Sequence, residues 1–252
     1  MQVAACGPVL QDQGREEALD INTIGLGCQP VEFASSAYIV CVYQPGQDDI
    51  RLFHSDASGK AYKQFDTLAQ SLARSQETLI FAMNGGMYHE DRSPVGYYRD
   101  RYGDRARVNL NDGPGNFHLK PNGVFWLQAG SAGISESTAY LEAGIDPLYA
   151  TQSGPMLVHD NQIHPAFNPD GLSRKRRNGI GVSASGDTVY FAISDMAVTF
   201  YEFAALFRDH LEVPNALFLD GQVSRIYAPE LSRSEMGGDL GPIIGVVVPT
   251  DE

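Results

Sequence analysis

The stretch NALFLDG, residues 215–221, ends an apolar run on Asp220 and follows it at once with Gly221. A carboxylate at a strand end, beside a residue without a side chain, is placed to meet a ligand closely and to stabilise or attack a developing cation. The same residue can also close an Asx turn that caps the strand. The pattern recurs four times. Asn84-Gly85-Gly86 follows FAM, Asn122-Gly123 precedes VFWL, Ser153-Gly154-Pro155 precedes MLV and Asn178-Gly179 precedes IGV. Asn-Gly and Asp-Gly are common tight-turn pairs, but these flanks carry further polar and ionisable residues instead of an immediate return strand. The junctions together predict one polar pocket, with Gly85, Gly86, Gly154 and Gly221 giving a ligand access to the backbone.

The groups available to that pocket set its chemistry. Carboxylates come from Glu90, Asp91, Asp195 and Asp220, amides from Asn84, Asn122 and Asn178, and cations from Lys120 and Arg177. Amides and carboxylates suit sugar hydroxyls, and cations suit a phosphate. Asp195, after FAIS, is the second candidate carboxylate, although a cap ahead of the following helix is its simpler role. Glu90 follows the Asn-Gly-Gly knot and can equally be solvated. Each amide, like Ser153 and Ser224, can serve as a backbone cap instead of a ligand contact. The sequence has no GxSxG, Walker A, HExxH or strand-to-helix GxGxxG motif. Six scattered histidines without ligand spacing and three cysteines without CxxC predict no metal site and no cofactor.

The elements that must hold these groups are mostly strands. AYIVCVY (37–43) and IRLFH (50–54) flank the turn-forming QPGQDD and predict a hairpin. In YKQFDTLAQSLARS the spacing of Phe65, Leu68, Ala69 and Leu72 predicts a helix. TLIFAM, GVFWL, PMLVH, GIGVSA, TVYFAIS, NALFLD and IIGVVV predict further strands. A second helix starts at Thr199, where Glu202 completes a capping box, and His210 on its apolar-leaning stripe reads as a packed helix residue. Between residues 84 and 122 lies a long irregular stretch whose five aromatic residues argue for an ordered, site-forming loop. Strands outnumber helices without alternating with them. The prediction is an α+β fold, with a mixed, mainly antiparallel sheet, a few flanking helices and one domain over 31–252 after a flexible lead-in at 1–30.

A net charge of −13 argues against nonspecific nucleic-acid or anionic-membrane binding, and no apolar stretch is long enough to span a bilayer. Eight of the 18 Lys and Arg residues fall in two windows, Arg99, Arg101, Arg105 and Arg107, and Arg174, Lys175, Arg176 and Arg177. An anionic ligand is expected near one of them, with solvated turns as the alternative. Cys28 and Cys41 can pair across a short loop if the protein is exported, which leaves Cys6 alone in VAAC, a stretch like the end of a lipoprotein signal. Export to the periplasm or envelope, with lipid on Cys6, is one reading. Three plain thiols in a reduced cytoplasm is the other.

The ordered set AMNGGMY, GNFHLKPNGVFW, ATQSGPMLV, RNGIGV and ALFLDGQVSRIY resembles the phosphodiester glycosidase domain family, in its bacterial exported branch, from about Phe33 to Val248. The resemblance implies hydrolysis of the bond between a sugar's anomeric carbon and a phosphodiester oxygen. It assigns Arg177, in RNG, and Lys120, in LKPNG, to the phosphate, and makes Asp220 the nucleophile or base. Asn84, Asn122, Asn178, Ser153 and Ser224 would then surround the sugar and phosphate. The expected ligand is a small sugar phosphate or an envelope or extracellular glycan. A non-catalytic envelope protein that binds phosphorylated or acidic glycans is the alternative, and it would not need Asp220.

Overall fold

The structure is a computed structural model that describes residues 24–221 and 223–250. The first part of the chain forms β1 (Gly27–Phe33), β2 (Ser36–Tyr43), β3 (Asp49–Phe53), α1 (Phe65–Ala73), β4 (Glu77–Asn84), β5 (Tyr98–Asp100) and β6 (Gly103–Ala106). Then come β7 (Gly123–Gln128), β8 (Ser131–Glu136), α2 (Ser137–Ala143), β9 (Tyr149–Ser153), β10 (Met156–His159) and β11 (Gln162–Ile163). The last part holds β12 (Asn178–Val182), β13 (Val189–Ser194), α3 (Phe200–Ala205), β14 (Asn215–Asp220), β15 (Ile226–Ala228), β16 (Arg233–Ser234) and β17 (Ile243–Pro249).

The strands build three sheets. A seven-stranded sheet runs β1-β2-β13-β12-β14-β10-β11, and two five-stranded sheets run β16-β15-β4-β17-β3 and β6-β5-β9-β7-β8. Every pairing among the described strands is antiparallel. The fold is α+β, with the predicted antiparallel character distributed over three sheets. Each sheet turns one face to a shared core that includes Ile39, Phe81, Phe125, Phe191, Leu217 and Ile244. On the outer faces α3 covers the first sheet, α1 the second and α2 the third. Apolar burial on both sides explains why so many strands read as continuous apolar runs.

The helices follow the sequence spacing. Phe65, Leu68 and Leu72 form the buried stripe of α1, and Thr199 and Glu202 close the capping box of α3. A π turn at Leu206–His210 continues α3, where His210 packs its ring against Phe33. Gly179 and Gly181, two residues apart on β12, let this helix approach the sheet: a Cβ there would come within 3.1 Å of the Phe203 ring and 2.8 Å of the Phe207 ring.

The expected hairpin between 37–43 and 50–54 does not form. β2 pairs with β1 and β13, while β3 pairs with β17 in another sheet. The intervening turn is closed by Gln44 N–H to Asp48 Oδ2 at 2.6 Å and Asp48 N–H to Gln44 O at 2.7 Å, and it passes the chain between sheets. Pairing of β1 with β2 begins at Gly27 and sets Cys28 opposite Cys41, and a disulfide joins them. Cys6 and most of the 1–30 lead-in lie outside the described residues. Among the described residues no helix is long and apolar enough to cross a membrane.

Candidate functional site

The polar-glycine junctions meet at one end of the sheets, as a hydrogen-bonded framework. Asn178 and Asp220 are register partners where β12 and β14 run out. Asn178 Nδ2 donates to Asn84 O at 3.0 Å, and Ser224 Oγ donates to Asp220 O at 2.8 Å with Asn178 Oδ1 3.2 Å away. Ser153 Oγ donates to Leu219 O at 3.3 Å, and Thr151 Oγ1 to Gly85 O at 2.8 Å. Asn122 donates to Phe117 O at 2.9 Å and accepts from Ser137 Oγ at 2.8 Å. A Cβ on Gly154 would stand 2.7 Å from that of Asn122, and one on Gly85 would stand 2.9 Å from Ile244 N, so these glycines allow the strands to close together. All of the amides and Ser153 and Ser224 are buried, with their polar atoms engaged by backbone or by one another and Ser137.

This framework carries a cleft of about 650 Å³. Its walls come from Met87, Tyr88, His89, Arg92 and Val95, from Pro114–His118, and from Asp220, Gly221 and Val223, with Lys175 at one side. Asp220 is the only carboxylate among the described residues that line it. It is 9% exposed, and its Oδ1 accepts the Gly221 N–H at 2.6 Å, so it caps the strand and faces the cleft at once. Two cations line the cleft with it, Arg92 and Lys175, together with His89 and His118. Arg174 and Arg176 pair with Glu202 and Glu235, whereas Arg92 and Lys175 enter no ion pair among the described residues. Tyr88 lies under the Arg92 guanidinium, 5.4 Å from its ring centre, and donates to Asp239 O at 2.9 Å. Burial first, then the charge of Asp220, pushes its hydroxyl above the usual range.

Arg177 sits just behind the cleft. It is 1% exposed, with the Phe200 ring 3.6 Å from its guanidinium carbon, Nε donating to Val198 O at 3.0 Å and one terminal nitrogen donating to Ser173 O at 3.2 Å. Its other terminal nitrogen has no hydrogen-bond partner among the described residues and lies 3.6 Å from where a Gly221 Cβ would stand. Burial alone pulls this guanidinium down to about 10. A buried cation thus stands behind the Gly221 backbone at the Asp220 end of the cleft.

Of the residues expected to touch ligand, Asp220 and Gly221 line the cleft, and Arg177 lies behind Gly221. Asn84, Gly85, Asn122, Ser153, Gly154, Asn178 and Ser224 build the floor beneath it. Gly86 approaches Thr151, where a Cβ would stand 2.8 Å from Oγ1. Three residues are elsewhere. Glu90 is exposed on the turn after His89. Lys120 donates from Nζ to Asp112 and Leu110 O, both at 2.8 Å, which turns it away from the lining. Asp195 is held by Arg233 at 2.9 Å in a surface network that includes Arg176 and Glu235. Sequence reasoning missed Tyr88, Arg92, Asn116, His118 and Lys175 as lining residues. The signals for them were the ordered aromatic loop and the second basic window. Among the described residues no group of three or more His, Cys, Asp and Glu is arranged to hold a metal.

One carboxylate and two cations that enter no ion pair among the described residues thus line one cleft in an α+β frame of three antiparallel sheets. The profile of the phosphodiester glycosidase family matches residues 77–232, which contain every lining residue of the cleft, and the chain belongs to that family. It is 34% identical over 183 residues to Uncharacterized protein YigE of Escherichia coli (strain K12), covering 73% of this chain and 71% of that one. Two solved structures share the fold. The zebrafish N-acetylglucosamine-1-phosphodiester alpha-N-acetylglucosaminidase catalytic domain, auto-inhibited by its pro-peptide, superposes with a TM-score of 0.59 at 12% identity, over 87% of this chain and 81% of its own. A hypothetical protein from Synechocystis gives 0.57 at 15% identity, over 88% of this chain and 61% of its own.

Proposed function

We propose that this protein hydrolyses sugar-1-phosphodiesters, breaking the bond between the anomeric carbon and the phosphodiester oxygen in an envelope or extracellular glycan. The observation that carries the proposal is the presence in one cleft of Asp220, the single lining carboxylate among the described residues, with two cations, Arg92 and Lys175, that enter no ion pair among those residues. Family membership supports the same reaction class.

The chemistry suits that distribution. The leaving group is a phosphate monoester, stable as an anion, so neutralising its oxygens matters more than donating a proton to it. Arg92 and Lys175 supply that charge from the cleft wall, and Arg177 adds to the field from behind Gly221. At the anomeric carbon, positive charge develops as the bond breaks, and Asp220 stabilises it by attack or by activating water. The Gly221 N–H bond to Asp220 Oδ1 fixes the carboxylate. Export belongs to the same proposal, supported by the Cys28–Cys41 disulfide, a bond that persists in oxidising compartments.

The test is a panel of UDP-GlcNAc and aryl-phosphate glycosides incubated with the protein, with reducing sugar measured over time. Turnover of at least one member is expected. Binding of these compounds without release of reducing sugar would replace the enzyme by a glycan-binding protein.

A further inference from the structure

The first basic window, Arg99 to Arg107, has no part in the cleft, yet it borders a second concavity of about 700 Å³. Tyr97, Arg105, Arg107 and Val108 form one side of this groove, and Tyr140 and Leu141 of α2 form the other. Most charges there are already compensated. Arg105 Nε donates to Asp100 Oδ2 at 2.9 Å. Asp104, the one acid among the described lining residues, accepts the Tyr97 hydroxyl at 3.1 Å and pairs with Arg99 at 3.3 Å. Arg107 differs: it is exposed and enters no ion pair among the described residues. In a chain of net charge −13, an uncompensated cation in a groove lined with apolar carbon attracts an anion and leaves room for the body that bears it.

The groove adjoins the cleft. Val95 lines the cleft and Tyr97 lines the groove, so the two walls are no more than about 7 Å apart along the chain. Asn109, next to Val108 of the groove, donates from Nδ2 to Val95 O at 3.1 Å. Gln152, itself buried, fastens both segments, because its Oε1 accepts Tyr97 N–H at 3.0 Å and Asn109 N–H at 2.8 Å. A partition tied by two side-chain amides, those of Asn109 and Gln152, therefore separates the two concavities.

We propose that the groove is a subsite for the portion of substrate adjoining the scissile diester, and that it selects glycans whose next unit carries a second anionic group, held by Arg107. The inference rests on the sugar-1-phosphodiesterase reading of the cleft and extends it to a substrate class, oligomeric anionic glycans. Leu141 and Val108 provide apolar contact for sugar C–H faces, while Arg107 supplies the charge.

Two probes test it. One is an aryl diester of N-acetylglucosamine-1-phosphate, and the other is the same diester extended by one further sugar-phosphate unit. Wild type should give a kcat/KM ratio of about ten or more in favour of the longer probe. Arg107→Glu should bring the ratio near one through KM for the longer probe, and Arg107→Lys should retain most of it. Equilibrium binding of a non-hydrolysable form of the longer probe is measured in parallel, with about tenfold weaker binding expected for Arg107→Glu. Equal kcat/KM for both probes in wild type, or equal affinity in Arg107→Glu, overturns the subsite. Absence of turnover for both probes, with the affinity difference intact, overturns the glycosidase reading and leaves the subsite standing.

Discussion

Asn84 holds the backbone of Arg225 in place: its Oδ1 accepts the Arg225 N–H at 3.0 Å while its Nδ2 donates to Val223 O at 3.2 Å. One amide at the end of β4 thereby fixes the segment that returns from Asp220 to β15. Asn84→Ala would leave that N–H buried without its partner, at about 1–3 kcal/mol, and would take a donor from the half-buried Val223 carbonyl. The expected result in urea unfolding is a lowered midpoint, with kcat falling more than KM rises because the Asp220 turn loses its anchor. A variant as stable and as active as wild type would show that this clamp does not matter.

The cations of the cleft separate cleanly by position. Lys175→Ala and Arg92→Ala are each expected to raise KM about five- to tenfold and to weaken its dependence on salt. Lys120→Ala should change neither, since Lys120 is tied to Asp112 and Leu110 on the exposed side. Steady-state kinetics at two ionic strengths decides the matter. Equal effects of Lys120 and Lys175 would mean that the phosphate lies elsewhere.

His164 gives a stability signature with pH. Its Nδ1 accepts the Ala166 N–H at 3.1 Å, so the proton sits on Nε2, which donates to Lys120 O at 2.9 Å. Burial lowers its pKa below the ordinary 6.5, and protonation would set N–H against N–H. The folded state therefore favours the neutral ring. This contribution is full above about pH 6.5 and is lost as pH falls through the lower folded-state value. The urea midpoint of wild type should decline more steeply below pH 6.5 than that of His164→Gln. Parallel pH profiles for the two proteins would contradict the assignment.

Much of this was legible in residues read singly, and less in residues read as partners. Asp220 stands out in sequence because a carboxylate and a glycine end a wholly apolar run, and it does line the cleft. Asn84 stands out by the same logic, but its side chain bonds a segment 139 and 141 residues away, and no local pattern encodes that partner. β2 reads as a strand from its β-branched and aromatic residues. Its pairing was not legible, because Ile39, Cys41 and Tyr43 enter the central core while Tyr38, Val40 and Val42 pack under α3, which leaves no polar face to fix its place. β9, YATQS, was invisible as a strand because its buried Thr151, Gln152 and Ser153 serve as hydrogen-bonding bolts instead of apolar packing. Lys175 was expected only as part of a basic window. The bridge of its backbone to Val198 places that window against the cleft and turns Arg177 inward.

The central claim is that Asp220 supplies the carboxylate for cleavage at the anomeric carbon, and Asp220→Asn tests it most directly. The substitution keeps an oxygen acceptor for the Gly221 N–H and nearly the same volume, so unfolding midpoints are expected to stay close to wild type. Release of reducing sugar from an aryl-phosphate glycoside should fall in kcat by about a thousandfold or more, with KM changed little. A folded Asp220→Asn protein that keeps wild-type kcat would contradict the account.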